Sequence, residues 1–258
     1  MEKLVLETTR PDDYLRRLAD SDIGRRYKAI AVEQLGVRGG DTVVDLGCGP
    51  GADLVALAEA VGVNGRVIGV DVDAAAIEQA RAEHALDSRI EVRHCDIHEL
   101  SLADGSADRA RTDRVLQHVN RPDVVLDEIR RILRPGGRAV FAEPDWETLV
   151  VDSRDRELSR AYTRFVADVA VRNGAIGRQL PALALRSGLE VGDVLPITTV
   201  FRDLEPADRV LGFARVCQRA VDAEYLTREQ ADRWLEGLAA EPFFASVTLF
   251  IVSATRTA

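Results

Sequence analysis

The chain of 258 residues is poor in cysteine, lysine and aromatic side chains. Its three cysteines, Cys48, Cys95 and Cys217, are an odd number and contain no Cys-x-x-Cys pair, which argues against a disulfide framework and predicts a reducing compartment. Lysine occurs only as Lys3 and Lys28, so arginine supplies nearly all of the positive charge. Bulk composition, with 46% hydrophobic residues, excludes a disordered chain.

The sequence also lacks a long uninterrupted hydrophobic run. The longest apolar stretch, residues 243–254, is broken by Ser246, Thr248 and Ser253, and the first residues contain no apolar segment typical of a signal peptide. The formal net charge of −9 disfavours nucleic acid and anionic membranes as partners. We therefore expect a cytoplasmic protein that binds neither nucleic acid nor a membrane, with a homodimer left open.

Strand-like and helix-like periodicities alternate along residues 42–145. Such alternation predicts an α/β fold with a parallel sheet and helices on both faces. Strands are predicted at 42–46, 66–70, 90–93 and 138–143, and helices at 52–61, 74–85 and 123–133. The polar stretch 107–112 takes the place of the central fourth strand, although central parallel strands are usually apolar.

The periodicity changes after residue 145. Residues 146–190 are predicted to be mostly helical, at 157–171 and 179–187, and to form a lid inserted between strands. Strands are then predicted at 194–202 and 243–254, with a helix near 206–221 and another after Thr227, where the Thr-x-x-Gln pattern fits a capping box. The two added strands imply a seven-stranded sheet whose last pair is a candidate for antiparallel pairing.

A glycine-rich segment joins the first predicted strand to the first predicted helix. Gly47, Gly49 and Gly51 allow a tight turn there and let a ligand approach the backbone without a Cβ in the way. The segment therefore predicts a site for a nucleotide-like ligand. Because Gly47-x-Gly49-x-x-Ala52 also satisfies the loose dinucleotide fingerprint, the glycines alone do not distinguish the possible cofactors.

Acidic residues lie at the ends of three neighbouring predicted strands. Asp45, two residues before the first glycine, would repel a pyrophosphate and attract a cationic ligand head. Asp71 is placed to accept hydrogen bonds from both ribose hydroxyls. Asp96 is placed to accept from an adenine amino group while the Ile97 amide reaches a ring nitrogen. Together they favour an adenosine with an ammonium tail.

On these residues the sequence resembles the class I S-adenosylmethionine-dependent methyltransferases, particularly the small-molecule branch that includes the ubiquinone and menaquinone C-methyltransferases. The matching motifs lie within residues 40–145 and are Asp45-x-Gly47-x-Gly49-x-Gly51, Gly69-Val70-Asp71, Cys95-Asp96-Ile97, Val115-Leu116-Gln117-His118-Val119 and Leu133-Arg134-Pro135-Gly136-Gly137-Arg138. The resemblance implies a Rossmann-like, mostly parallel seven-stranded sheet with strand order 3-2-1-4-5-7-6. It also implies one methyltransferase domain with an N-terminal helical cap (1–36), a cofactor-binding core (37–145), the lid (146–190) and closing strands and helices (191–258).

The resemblance further implies that S-adenosylmethionine is the cofactor and which residues hold it. The residues implied are Asp45, Gly47, Gly49 and Gly51 along the methionyl part, Asp71 and Val72 at the ribose, Asp96 and Ile97 at the adenine, and Thr112 and Arg114 beside the cofactor after strand four. No metal is predicted.

Methyl transfer from a sulfonium mainly requires alignment of the acceptor and exclusion of water, because the leaving group departs neutral. An acceptor with an acidic proton is helped by a base. The candidates for catalysis are His118 after strand four and Asp145 after strand five, with Glu143 as a further carboxylate.

Three aromatic residues, Tyr14, Tyr27 and Trp146, are predicted to form walls for a flat or apolar acceptor. The leading hypothesis is methyl transfer to an O, N or C atom of a small molecule, with secondary metabolism as one plausible setting. An NAD(P)-dependent oxidoreductase and a non-catalytic S-adenosylmethionine-binding protein are the alternatives. Nucleic-acid methylation is disfavoured, because no (Asp/Asn/Ser)-Pro-Pro-aromatic motif follows strand four.

Overall fold

A computed structural model of the protein describes residues 22–240 and 242–257. The strands are β1 Thr42–Leu46, β2 Arg66–Asp71, β3 Ile90–His94, β4 Ala107–Asp113, β5 Leu133–Val151, β6 Glu190–Phe201 and β7 Ala245–Thr255. They form one seven-stranded sheet in the order β3-β2-β1-β4-β5-β7-β6. The first five strands are parallel to one another, and β7 is antiparallel to both β5 and β6. The predicted fold class and strand order are confirmed.

The helices are α1 Asp22–Leu35, α2 Leu54–Val61, α3 Ala74–His84, α4 Pro122–Ile132, α5 Arg156–Phe165, α6 Ile176–Arg186, α7 Leu204–Leu211, α8 Phe213–Asp222 and α9 Arg228–Ala240, with a π-helical turn at Val166–Ala170. The helix predicted near 206–221 is two helices, because Gly212 adopts a left-handed conformation with φ of 62° between them. The capping box at the start of α9 is confirmed: the Gln230 N–H donates to Thr227 Oγ1, and the Thr227 N–H donates to Gln230 Oε1.

The polar stretch in the middle of the sequence is confirmed as the central strand β4. Arg109 and Arg111 are only 5% and 4% exposed there. Buried charges are tolerated where they are paired, and each of these arginines has partners: Arg109 donates to the Gly36 carbonyl at 2.9 Å and lies 3.2 Å from Asp41. The partners of Arg111 belong to the candidate site described below.

Buried apolar side chains form one core on each face of the sheet. In β1, Val43 packs on the face covered by α1 and α2, and Val44 packs on the face covered by α4 and α6. Consecutive strand residues point to opposite faces, so this alternation places helices on both sides, as predicted. A third core lies among α5, the π-helical turn and α7–α9, where Trp146 and Phe201 join the helices to the sheet.

The segment predicted as a lid, residues 146–190, is divided among three parts of the molecule. Its first residues extend β5 to Val151, beyond the predicted end at Glu143, because they pair with β7. Helix α5 belongs to the third core, whereas α6 packs on the sheet. The other helices of the third core, α7–α9, come from residues beyond 190. Within the described ranges, no helix has both the length and the apolar character needed to cross a membrane.

Candidate active site

The loop between β1 and α2 is shaped by its glycines. Gly47, Gly49 and Gly51 have φ angles of 77°, 52° and 85°, in the region that favours glycine. A Cβ on Gly47 would lie 2.4 Å from Val115 Cγ2, and one on Gly51 would lie 2.7 Å from His84 Nε2. Glycine at both positions therefore lets the loop backbone pack closely against the Val115 and His84 side chains, and Gly47 also lines a cavity described below.

The glycine loop is held from the neighbouring strand and helix. Asp71, at the end of β2, accepts the Gly49 N–H through Oδ2 at 2.8 Å and the Asp73 N–H through Oδ1 at 2.9 Å. His84, in the last turn of α3, lies with Nε2 3.0 Å from the Gly51 carbonyl oxygen. Because that oxygen can only accept, the His84 ring donates this bond. Asp71 thus lies beside the glycine loop, where the ribose was predicted.

The residues predicted for the adenine follow β3. Asp96 Oδ1 accepts from the backbone N–H of His98 at 2.9 Å and lies 2.6 Å from His98 Nδ1. Both bonds favour the carboxylate and lower the pKa of Asp96, the backbone bond most. The Ile97 side chain is 7% exposed and packs in the core, whereas Val72 is 66% exposed at the same end of the sheet.

Five charged side chains that the sequence did not group together meet beside the glycine loop. This ion cluster consists of Lys28 from α1, Asp45 from β1, Asp53 before α2, and Arg111 and Asp113 from β4. Arg111 lies at its centre, 3.1 Å from Asp45, 2.7 Å from Asp53 and 3.2 Å from Asp113. Lys28 Nζ lies 2.5 Å from Asp53 and 3.5 Å from Asp113.

Burial and pairing act in opposite directions on the carboxylates of the ion cluster. Burial raises the pKa of Asp45 to about 6, although the Arg111 charge works against this. Burial also acts to raise the pKa of Asp53, but the charges of Arg111 and Lys28 outweigh it and lower that pKa to about 2. Asp45 was predicted to attract a cationic ligand head, and in the structure Arg111 already neutralises part of its charge.

Two cavities adjoin at this end of the sheet. The smaller one is lined by the glycine loop and by the ion cluster. The larger one has a volume of about 230 Å³ and a mostly apolar lining that includes Pro144, Trp146, Ile197, Phe201, Val247 and Leu249. Tyr27 and Arg114 line both cavities. A molecule bound in the smaller cavity and a molecule bound in the larger cavity would therefore be neighbours.

Two of the three predicted aromatic residues, Tyr27 and Trp146, line the larger cavity, and a hydrogen bond holds each of them in place. The Tyr27 hydroxyl, in a side chain that is 3% exposed, donates to Asp113 at 3.1 Å. Burial and the Asp113 charge raise the pKa of Tyr27 well above its usual value, so the phenol keeps its proton. Trp146 Nε1 donates to Gln117 Oε1 at 2.8 Å. Tyr14 lies outside the described residues.

The predicted catalytic residues His118 and Asp145 are not among the described residues that line either cavity. Asp145 is fully buried and bound by Arg178, whose Nη2 donates to Oδ1 at 3.0 Å and whose Nε donates to Oδ2. His118 is half-buried on the loop after β4. Thr112 is buried within β4, and its Oγ1 makes no hydrogen bond to the described part of the chain.

Sequence reasoning missed three members of the ion cluster, Lys28, Asp53 and Arg111, and most of the apolar lining of the larger cavity. Lys28 carried one weak signal, as one of two lysines in an arginine-rich chain. Arg111 carried another, because an arginine in a central strand needs a buried partner. Neither signal identifies the partner, since Arg111 and Asp53 are 58 positions apart.

Comparisons with known proteins show which sequences this chain is similar to. The family model described as a methyltransferase domain matches residues 38–184. A 37.1 kDa protein of transposon TN4556 from Streptomyces fradiae is 54% identical over 255 residues, covering 98% of this chain and 74% of the relative. A demethylmenaquinone methyltransferase from Staphylococcus aureus is 29% identical over 157 residues, covering 61% of this chain and 64% of the relative.

Solved structures share the fold at low sequence identity. A putative methyltransferase from Bacillus halodurans C-125 has a TM-score of 0.66 at 15% identity and covers 92% of this chain and 99% of its own. A second structure is the geranyl diphosphate C-methyltransferase from Streptomyces coelicolor A3(2) in complex with Mg²⁺, geranyl diphosphate and S-adenosyl-L-homocysteine. It has a TM-score of 0.56 at 19% identity, and the match covers 98% of this chain and 85% of that chain. The chain therefore belongs to the S-adenosylmethionine-dependent methyltransferases, which confirms the family resemblance of its motifs.

Proposed function

We propose that the protein transfers a methyl group from S-adenosylmethionine to an O, N or C atom of a small and largely apolar acceptor. The observation that carries this proposal is the adjacency of the two cavities. One is bounded by the glycine loop, the other by mostly apolar side chains, and they share Tyr27 and Arg114. A reaction between two bound molecules needs such a junction, because the reacting atoms must be held in contact and in line.

The described residues suit the parts of the donor in order. Gly47 lines the smaller cavity, where the methionyl part would lie against the glycine loop, and Asp71 offers carboxylate oxygens for the ribose hydroxyls. Asp96 and Ile97 lie after β3 for the adenine. The carboxylates and cations of the ion cluster lie beside the glycine loop and can pair with a zwitterionic amino-acid end.

When bound, S-adenosylmethionine supplies an electrophilic methyl group. The residues of the chain then have two tasks, which are to orient the acceptor and to exclude water. Trp146, Phe201 and Leu249 exclude water from the larger cavity, because they line it with apolar surface. Tyr27 forms part of the wall shared by the two cavities, and the hydrogen bond from its hydroxyl to Asp113 fixes the orientation of its ring.

A base is needed only for an acceptor that must lose a proton before or during transfer. His118 and Asp145 stay the candidates for that role. Arg178 binds both oxygens of the Asp145 carboxylate, so neither is free to take a proton from an acceptor, which favours His118. We also propose a single cytoplasmic methyltransferase domain that takes part in no nucleic-acid or membrane binding, and a homodimer stays a prediction.

Two measurements test this proposal. Isothermal titration with S-adenosylhomocysteine should show saturable binding, and NADH should show none. Incubation with isotopically labelled methyl donor and a panel of phenols, quinone-like rings and amines should yield a labelled product heavier by one CH₂ unit. Binding of NADH in place of S-adenosylhomocysteine would support the oxidoreductase alternative. Binding of S-adenosylhomocysteine without any product from the panel or from a metabolite extract would support a non-catalytic role.

A further inference from the structure

The loop that follows β4 is fixed by a carboxylate on the neighbouring strand. Glu143 of β5 is fully buried. Its Oε1 accepts the backbone N–H groups of Val115 at 2.8 Å and Leu116 at 2.7 Å, and its Oε2 accepts that of Gln117 at 3.3 Å. We call residues 114–119 the post-β4 loop. One side chain thus satisfies three consecutive backbone donors of this loop.

A second side chain fixes the carbonyl groups of the same loop. Asn173, shortly before α6, donates through Nδ2 to the Leu116 carbonyl at 2.7 Å and to the Val119 carbonyl at 2.9 Å. Its backbone N–H donates to the Gln117 carbonyl at 3.1 Å. Glu143 and Asn173 therefore hold the loop between them, one by accepting and the other by donating.

The post-β4 loop in turn shapes both cavities. Arg114, its first residue, has a φ of 60°, which is unusual for a side chain other than glycine, and lines both cavities. Gln117 is fully buried, donates through Nε2 to the Arg114 carbonyl at 3.1 Å, and accepts from Trp146 Nε1. The orientation of the Trp146 indole thus depends on where the loop holds Gln117.

We propose that Glu143 and Asn173 are positioning residues that set the acceptor cavity through the post-β4 loop. Neither side chain is among the described residues that line a cavity, so both act through Arg114, Gln117 and Trp146. The role in acceptor binding rests on the proposed function, whereas the role in holding the loop and the indole does not.

The chemistry of the two side chains fits this role. A carboxylate has lone pairs for several N–H donors, and Glu143→Gln keeps one acceptor oxygen while placing an NH₂ group where Gln117 donates. The Asn173 amide supplies two N–H donors to two carbonyls. Asn173→Asp has the same shape but turns those contacts into repulsion between oxygens. The aspartate variant should therefore move the loop more than the glutamine variant does.

The test uses ¹⁹F NMR of the full chain labelled with 5-fluorotryptophan. The protein has two tryptophans, so Trp146→Phe assigns both signals. Trp234 donates to Ser159 and not to the post-β4 loop, so it serves as an internal reference. In Asn173→Asp we expect the Trp146 signal to shift or broaden and the Trp234 signal to stay in place. Glu143→Leu should have the same effect, and Glu143→Gln should restore part of the wild-type signal.

Asp73→Ala is the matched control, because it removes the N-cap of α3 and lowers stability without touching the loop. It should leave both signals unchanged. An unshifted Trp146 signal in folded Asn173→Asp or Glu143→Leu would overturn the proposal, and Asn173→Ala replaces Asn173→Asp if the latter does not fold. Once the labelled-methyl screen has found an acceptor, Asn173→Asp and Glu143→Leu should raise the KM for that acceptor about tenfold with little change in kcat. Absence of S-adenosylhomocysteine binding to the wild-type chain would instead count against the proposed function and leave the NMR result standing.

Discussion

Arg111 and Asp45 are register partners on the adjacent central strands β4 and β1, and their side chains meet at 3.1 Å. The contact places a guanidinium in the interior of the sheet, directly beside the glycine loop. Because Arg111 also contacts Asp53 and Asp113, it neutralises carboxylates from three separate segments. This pairing explains how a strand of mostly polar sequence forms at the centre of the fold.

Replacing Arg111 by methionine should strongly destabilise the protein. The variant keeps an unbranched side chain but leaves the buried Asp45 without its cation, while Lys28 still pairs with the half-buried Asp53 and Asp113. Loss of one partner of a buried ion pair costs about 3–5 kcal/mol. Urea unfolding should show this decrease in the free energy of unfolding. Arg134→Ala is the control, since Arg134 is 47% exposed and its pair with Asp108 should contribute about 1 kcal/mol or less. Similar losses in the two variants would contradict the central role of Arg111.

Asp71→Ala should weaken binding of S-adenosylhomocysteine by about 1–3 kcal/mol, because charge-assisted hydrogen bonds to the ribose and to the glycine loop are lost. Isothermal titration measures the difference. Asp73→Ala removes the nearby cap of α3, whose carboxylate accepts the Ala75 N–H at 2.9 Å. It should lower stability by about 1 kcal/mol and leave the affinity unchanged. Unchanged affinity in Asp71→Ala would mean that the ribose is held elsewhere.

Gly47→Ala should reduce the affinity for S-adenosylhomocysteine by about tenfold or more, because the new methyl group meets Val115 and the backbone has a positive φ of 77°. Gly39→Ala provides the comparison, since a Cβ there would have open space around it. Titration calorimetry on both variants checks the expectation. Equal affinities would show that the loop adapts to a side chain at this position.

The stability of the protein should depend on pH through Glu143. Burial raises the pKa of Glu143 from 4.5 to about 8, while the N–H groups of the post-β4 loop act in the opposite direction. A raised pKa means that the folded state binds more protons than the unfolded state between these values. The free energy of unfolding should therefore fall as pH rises from about 4.5 to about 8, by at most about 1.4 kcal/mol per pH unit.

Urea unfolding at a series of pH values across this range measures the slope, and Glu143→Gln should remove the part that comes from this residue. The glutamine variant does not titrate, so its curve should be flatter than that of the wild type. A wild-type curve as flat as that of the variant would show that the loop N–H groups keep Glu143 ionised throughout.

The motifs that sequence reasoning recognised are those whose physical cause is local. The turns at Gly47 and Gly51 need a positive φ, and the capping box at Thr227 joins groups three positions apart. The alternating periodicity likewise reports which side chains face a core, and it predicted the sequence of strands and helices. The strand order was implied by the family resemblance, and it is confirmed. The extension of β5 to Val151 was missed because it depends on pairing with the distant β7.

Local backbone chemistry and hydrophobic periodicity were thus enough to predict the α/β fold class and the glycine turn, and the family resemblance added the strand order. Only the tertiary structure decided three features: the ion cluster, the position of Tyr27 between the two cavities, and the hydrogen bonds from Glu143 and Asn173 to the post-β4 loop. Their partners are far apart in the chain: Tyr27 and Asp113 are separated by 86 positions, and Asn173 and Leu116 by 57. Electrostatic and hydrogen-bond energies depend on distance in space, and only folding of the sheet brings these groups within reach of one another.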